Sequence, residues 1–306
     1  MKIVAVEPIG ISAERAEQIK QDLSAKGHEF IWYPDRKEDE NTLAERMKEA
    51  EVVMISNIPL SANVLSQCPK LQLLDVAFTG LDHIDLAYCQ AHNIKVKNAS
   101  GYATEAVAEL TVGLMIDVLR KITFLDGSIR QGGTRGAFLG RELRGKTVGV
   151  VGTGAIGIRT IQLLQAFGCN VIAWSRTQKP EVMAMGVSYV RLDDLMRSSD
   201  IITLHVPLTT ETKHLISKEL LAECKPTAVL VNTARGNVVD MDALAECLCS
   251  GKIAGAGIDV YEKEPPLPSE HPLLKASNCV LVPHVGYATR EAFDDRIDII
   301  LRNLSE

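Results

Sequence analysis

Over the first hundred residues, short apolar and β-branched runs alternate with longer stretches whose apolar positions recur at helical spacing. The runs at 2–6, 30–33, 52–55, 71–76 and 94–96 predict strands, and the stretches at 13–25, 42–50, 63–68 and 84–92 predict helices. Regular alternation of strand and helix is the pattern of βαβ units, which assemble a parallel sheet through right-handed crossovers. The mixed-sign run at 34–40 predicts a solvated loop.

From Thr104 the pattern changes to one long helix reaching about Phe124, with Val107, Leu110, Leu114 and Val118 on its apolar face. Gly127, Gly132, Gly133, Gly136 and Gly140 then break the periodicity, so a domain boundary is expected between about 100 and 145. A second alternating series follows, with strands at 147–151, 170–174, 201–204, 228–232, 254–259 and 279–281. A loop at 283–287 leads into a last helix at 289–304.

A length of 306 residues fits about two domains of roughly 150 residues each. With 46% hydrophobic and 24% charged residues, the composition is that of an ordinary globular protein. The 33 basic and 39 acidic side chains leave a net charge of −6, which offers no basic surface to nucleic acid or to an anionic membrane. No apolar run reaches the roughly 18 residues of a membrane span, and Glu7 interrupts the opening apolar stretch before a signal core forms. A cytoplasmic protein is therefore expected. Seven cysteines, scattered between Cys68 and Cys279, fit reduced thiols better than a disulfide framework.

The second series opens on chemistry. Gly152, Thr153, Gly154, Ala155, Ile156 and Gly157 form a G-x-G-x-x-G between the strand at 147–151 and a helix at 156–167. In that context Gly152 permits a tight turn, Gly154 lets the backbone approach a pyrophosphate, and Gly157 lets helix and strand pack closely. The helix N-terminus supplies unpaired N–H groups for the anion. About 20 residues on, an NAD site places an acid on the adenosine ribose. Here the strand ends Trp174, Ser175, Arg176, Thr177, and no acid appears before Glu181. Ser175 and Arg176 can hydrogen-bond and neutralise a 2′-phosphate, so NADP is expected, with NAD remaining open.

Three motifs fall at the carboxyl ends of later strands, where open α/β sheets bind ligands: Asn232-Thr233-Ala234-Arg235-Gly236, the run from Gly257 to Pro265, and Val282-Pro283-His284-Val285-Gly286. With the glycine turn, and with Leu204 to Thr209 between, their order resembles the D-isomer-specific 2-hydroxyacid dehydrogenase family over most of the chain. The resemblance implies α/β architecture in two doubly wound parallel-sheet domains separated by a cleft. Residues 1–100 with 285–306 would form a flavodoxin-like substrate domain, and 101–284 a Rossmann cofactor domain. It also implies hydride transfer between a nicotinamide dinucleotide and a small 2-oxo acid or D-2-hydroxy acid, such as glyoxylate, hydroxypyruvate or pyruvate. A homodimer built around the helix near 104–124 is a further implication.

Carried over residue by residue, the resemblance makes Arg235 the group that binds the substrate carboxylate and polarises its carbonyl. His284 becomes the general acid, Glu264 its paired carboxylate, with Glu262 in competition, and Asp259 a supporting carboxylate near the cofactor. His205, Val206, Pro207, Thr233 and Ala234 would line the cofactor site, and Ala77, Phe78, Thr79 and Gly80 would grip the substrate carboxylate through backbone N–H groups. Phe78 stands where many members carry a smaller residue, and Tyr102 would face the same pocket. The chemistry suits these residue types. Reducing a 2-oxo acid needs a proton for the developing alkoxide and a fixed cation for carboxylate and oxyanion, and Arg supplies a permanently charged fork while His donates near neutral pH.

The sequence has no H-E-x-x-H, and Cys247 and Cys249 would point to different faces of a helix, so no metal is expected. Two other readings share the scaffold. Glu264 speaks against a formate-type dehydrogenase, a branch that resembles a Gln–His pair. A nucleotide-sensing corepressor keeps the Arg, Glu and His, but a compact acidic chain leans toward metabolism.

Overall fold

In the computed structural model, which describes residues 1–276 and 278–305, the five early strands form as β1 (Lys2–Ala5), β2 (Glu29–Trp32), β3 (Val52–Ile55), β4 (Leu73–Val76) and β5 (Lys95–Asn98). They pair in parallel in the order β2-β1-β3-β4-β5, the doubly wound order of flavodoxin-like sheets. Both faces are covered, so β3 is buried along its whole length. Helices α1 (Ala13–Ala25), α2 (Glu40–Met47), α3 (Ala62–Leu65) and α4 (Leu86–Ala91) start where a side chain can accept the first free amides. Ser12, Asp39, Ser61 and Asp85 accept the amides of Arg15, Thr42, Val64 and Tyr88. Asp39 thus starts α2 two residues earlier than periodicity alone suggests, and Asp85 starts α4 two residues later.

The expected single helix at 104–124 is two. The first, α5 (Thr104–Arg120), stops at Lys121, which takes a left-handed φ of 53°, and α6 (Ile122–Arg130) begins at once. The Asp117 carboxylate accepts the Thr123 amide at 2.9 Å and so caps the new helix from the old one. Gly127 lies inside α6 rather than in a loop.

The later strands are β6 (Thr147–Val151), β7 (Asn170–Trp174), β8 (Ser188–Tyr189), β9 (Ile201–Leu204), β10 (Val229–Asn232), β11 (Gly255–Ile258) and β12 (Cys279–Leu281). They form one parallel sheet in the order β12-β11-β10-β9-β6-β7-β8, a Rossmann arrangement whose order reverses between β6 and β9. Its crossovers include α7 (Ala155–Ala166), α8 (Pro180–Ala184), α9 (Leu192–Ser198), α10 (Lys218–Glu223) and α11 (Met241–Cys249), and α5 packs on β10, β11 and β12. The sheet core is aliphatic, with Val148, Val150, Ile202, Leu204, Val229, Val231 and Ile258 all inaccessible to solvent.

The backbone divides into two units, Met1–Ala103 with Thr289–Glu306, and Thr104–Ala288. The last helix, α12 (Arg290–Asn303), therefore belongs with the first sheet. Asn303 Nδ2 donates to Asp75 Oδ1 at 2.7 Å, and Lys97 Nζ donates to the Asn303 carbonyl at 2.9 Å. Burial pushes the Asp75 carboxyl up to about 7, against the pull of Asn303 and Lys97.

Candidate active site

The glycine turn lies at the carboxyl end of β6, beside the strand-order reversal. Gly152 has a φ of 100°, and a Cβ there would lie 2.6 Å from the His205 carbonyl oxygen. A Cβ on Gly157 would lie 2.1 Å from the Gly152 carbonyl oxygen, whereas one on Gly154 would meet nothing within 4 Å. Two glycines are thus required by packing and the middle one faces open space. Gly154 begins α7 with no side-chain cap, so the amides of Ala155 and Ile156 head an uncapped helix N-terminus. An open cradle of backbone N–H groups fits a pyrophosphate. Gly157→Ala is expected to weaken dinucleotide binding about tenfold or more, because the added methyl overpacks the turn at a cost of about 1–3 kcal/mol. Fluorescence titration checks this, and unchanged affinity contradicts it.

Thr153 Oγ1 lies 2.9 Å from the Tyr189 hydroxyl, which also accepts the Lys179 amide at 3.1 Å. Tyr189 therefore ties the glycine turn to the segment after β7, a role with no signal in the sequence pattern. In that segment Trp174 and Ser175 are half-buried, while Arg176 and Thr177 are exposed.

After β9, the His205 amide donates to the Val151 carbonyl at 2.7 Å, and its Nε2 lies 3.0 Å from Thr203 Oγ1. Burial pushes the His205 imidazole down to about 3, so it stays neutral at any ordinary pH and cannot act as a proton donor there. Val206 is buried beside it and Pro207 is exposed.

The loops after β10, β11 and β12 leave three adjacent strands of the sheet. Arg235 is half-buried, and its Nη1 donates to the Ala234 carbonyl at 2.8 Å. Thr233, just before it, lies hydroxyl to hydroxyl with Thr111 of α5 at 2.8 Å. Gly236 presses on the next loop so closely that a Cβ would lie 1.9 Å from the Tyr261 carbonyl carbon. The Tyr261 hydroxyl donates to the Val282 carbonyl at 3.0 Å, linking that loop to the one carrying His284.

His284 Nδ1 lies 3.0 Å from Glu264 Oε1, and the His284 backbone takes a left-handed φ of 54°. A non-glycine residue held there marks a backbone fixed by its surroundings. The fixing group is Asp259, wholly buried, whose two carboxylate oxygens accept the amides of Val285 at 2.7 Å and Gly286 at 2.9 Å. Desolvation raises the Asp259 pKa, and those two amides oppose the rise. Glu262 is engaged elsewhere, 3.4 Å from His271 Nε2. Geometry therefore separates the two competing glutamates. Tyr287, which sequence reasoning did not single out, sets its ring edge-on to His284 at 5.6 Å.

Ala77, Phe78, Thr79, Gly80 and Tyr102 lie in the other unit, at the carboxyl end of its sheet. The loop is anchored by its carbonyls: Asn98 Nδ2 donates to Thr79 at 2.7 Å, and the Ala99 amide donates to Val76 and Phe78 at 3.0 and 3.1 Å. Ala77 is buried, its amide donating to the Ile55 carbonyl, and the Phe78 and Tyr102 rings lie 6.3 Å apart. The Arg296 guanidinium stacks against Tyr102 and Phe293 at 5.7 and 4.1 Å. Among the described residues, no group of three or more His, Cys, Asp or Glu could hold a metal ion, and no helix is long and apolar enough to cross a membrane.

A Rossmann sheet with an open phosphate turn at its switch point, and a carboxylate-paired imidazole four strands along, defines a nicotinamide-nucleotide oxidoreductase. Residues 112–286 match the NAD-binding domain of the D-isomer specific 2-hydroxyacid dehydrogenases. Over 280 residues the chain is 41% identical to a glyoxylate reductase of Thermofilum pendens, covering 89% of this chain and 81% of that protein. A glyoxylate reductase of Thermococcus litoralis is 38% identical over 284 residues, 90% of this chain and 85% of the relative. The crystal structure of a glyoxylate reductase from Paecilomyes thermophila superposes with a TM-score of 0.89 at 29% identity, covering 100% of this chain and 94% of that one. The chain belongs to the D-isomer-specific 2-hydroxyacid dehydrogenase family and is an NAD(P)-dependent dehydrogenase.

Proposed function

We propose that the protein reduces glyoxylate, hydroxypyruvate and similar small 2-oxo acids to D-2-hydroxy acids, with NADPH as the preferred donor. The observation that carries this reading is the His284–Glu264 pair at 3.0 Å, on the strand next but one to the Arg235 loop. When bound, the reduced nicotinamide supplies the hydride. Arg235 grips the substrate carboxylate and stabilises charge on the carbonyl oxygen, and the N–H groups of residues 78–80 are the carboxylate donors of the substrate unit, the Ala77 amide being committed to the Ile55 carbonyl. His284 gives Nδ1–H to Glu264, which directs Nε2 toward the carbonyl oxygen as proton donor. Tyr102 and Phe78 form an aromatic wall beside the substrate. The unit Met1–Ala103 with Thr289–Glu306 carries the substrate-pocket residues and the unit Thr104–Ala288 the cofactor functions.

The exposed Arg176, with no carboxylate at the end of β7, supports NADP. Rates with glyoxylate, hydroxypyruvate and pyruvate are expected to be higher with NADPH than with NADH. Arg176→Ala is expected to lower kcat/KM for NADPH about 10- to 100-fold and to leave NADH within about twofold. A parent enzyme that prefers NADH removes the NADP assignment. Tight cofactor binding without turnover on any 2-oxo acid would favour the corepressor reading. Helix α6 buries none of its residues and exposes Ile122, Phe124 and Ile129, and Leu139 beyond it is 80% exposed, which supports a homodimer with this apolar face at its seam. The seven unpaired thiols support a reducing compartment such as the cytoplasm.

A further inference from the structure

Asn232 is the last residue of β10 and is wholly buried, yet both ends of its side-chain amide turn away from the sheet to the segment that follows. Its Oδ1 accepts the Ala234 amide at 3.0 Å and its Nδ2 donates to the Arg235 carbonyl at 2.9 Å. The peptide between Ala234 and Arg235 lies between those two holds. The carbonyl of that same peptide receives the Arg235 guanidinium at 2.8 Å. One planar side chain thus fixes the peptide on which the guanidinium rests. The backbone carbonyl of Asn232 accepts the Asp259 amide at 3.0 Å, which ties it to the strand whose carboxylate holds residues 285 and 286.

Only an amide spans both contacts. Aspartate could still accept from Ala234, but it would set a carboxylate oxygen against the Arg235 carbonyl. Serine can reproduce the short bond to the amide two residues on and cannot reach the carbonyl three residues on. The Thr111–Thr233 hydroxyl pair and the backbone beside Gly236 steady the loop from outside, so the loop survives loss of the clip while the guanidinium loses its reference.

We propose that Asn232 is a positioning residue for Arg235, its side-chain amide setting the direction from which the guanidinium meets the substrate carboxylate. The proposal rests on the reading of Arg235 given above. The test combines Asn232→Asp and Asn232→Ser each with the parent enzyme and with Arg235→Ala, measuring glyoxylate reduction, dissociation of oxamate as a 2-oxo acid mimic, and dissociation of NADPH. In the parent, kcat/KM is expected to fall about 10- to 100-fold with a parallel weakening of oxamate, while NADPH affinity stays within about twofold. In Arg235→Ala the same substitutions are expected to change kcat/KM and oxamate affinity less than about twofold, because the group they act through is gone. An equal factor in both backgrounds, or a matching loss of NADPH affinity, overturns this proposal alone. An Arg235→Ala enzyme with parental kinetics overturns the reading of Arg235 and this proposal with it.

Discussion

Arg235→Ala is expected to lower kcat/KM for glyoxylate by at least about 150-fold, equivalent to about 3 kcal/mol of transition-state stabilisation. The size follows from where charge develops. A 2-oxo acid brings one negative charge in its carboxylate, and hydride addition builds a second on the neighbouring oxygen. A guanidinium presents parallel N–H groups to both, and its charge persists at every working pH. Lysine offers a point charge without the fork, so Arg235→Lys should recover only part of the rate. Since these interactions strengthen as the oxyanion forms, the loss should appear in kcat as well as KM. Steady-state kinetics with saturating NADPH measure it, and a loss confined to KM would reduce Arg235 to a simple anchor.

His284→Ala is expected to lower the rate of 2-oxo acid reduction about 10²- to 10⁴-fold and to flatten its pH profile. Reduction consumes a proton, so it needs the imidazolium form. Oxidation of the hydroxy acid needs the neutral imidazole and runs the opposite way. In the variant both limbs should disappear together. His205 cannot substitute as donor, since burial keeps it uncharged down to about pH 3. A His284→Ala enzyme that keeps the parental pH profile assigns the proton to another group.

Much of the scaffold is legible from apolar patterning, because buried parallel strands such as β9 and β10 leave uninterrupted β-branched and aliphatic runs in the sequence. Helix ends were less legible where a cap overrides periodicity, as at Asp39 and Asp85. The break at Lys121 left no trace, since a lysine in a left-handed conformation looks like any other helical lysine, and its cause, Asp117, lies a full turn back. The two residues of β8 are too few to establish a period. In the site, motif order drew attention to Arg235, Glu264 and His284, but the choice between Glu262 and Glu264 needed the distances to His271 and His284. Asn232 opens the motif that carries Arg235, and an asparagine whose side chain accepts the amide two residues on is a known turn signature, so that signal is present in the sequence. Tyr189 and Tyr287 act through tertiary contacts that no local pattern encodes.

The first sheet is completed by a helix that the chain reaches only after the whole of Thr104–Ala288. On a ribosome the five strands emerge early, yet the helix that covers β4 is synthesised only after that entire unit. Asn303 of α12 closes over the Asp75 carboxyl, and burial in the finished unit lifts it to about 7. The contiguous nucleotide-binding unit can mature while its neighbour waits, so the nascent enzyme would acquire its coenzyme fold before its substrate fold.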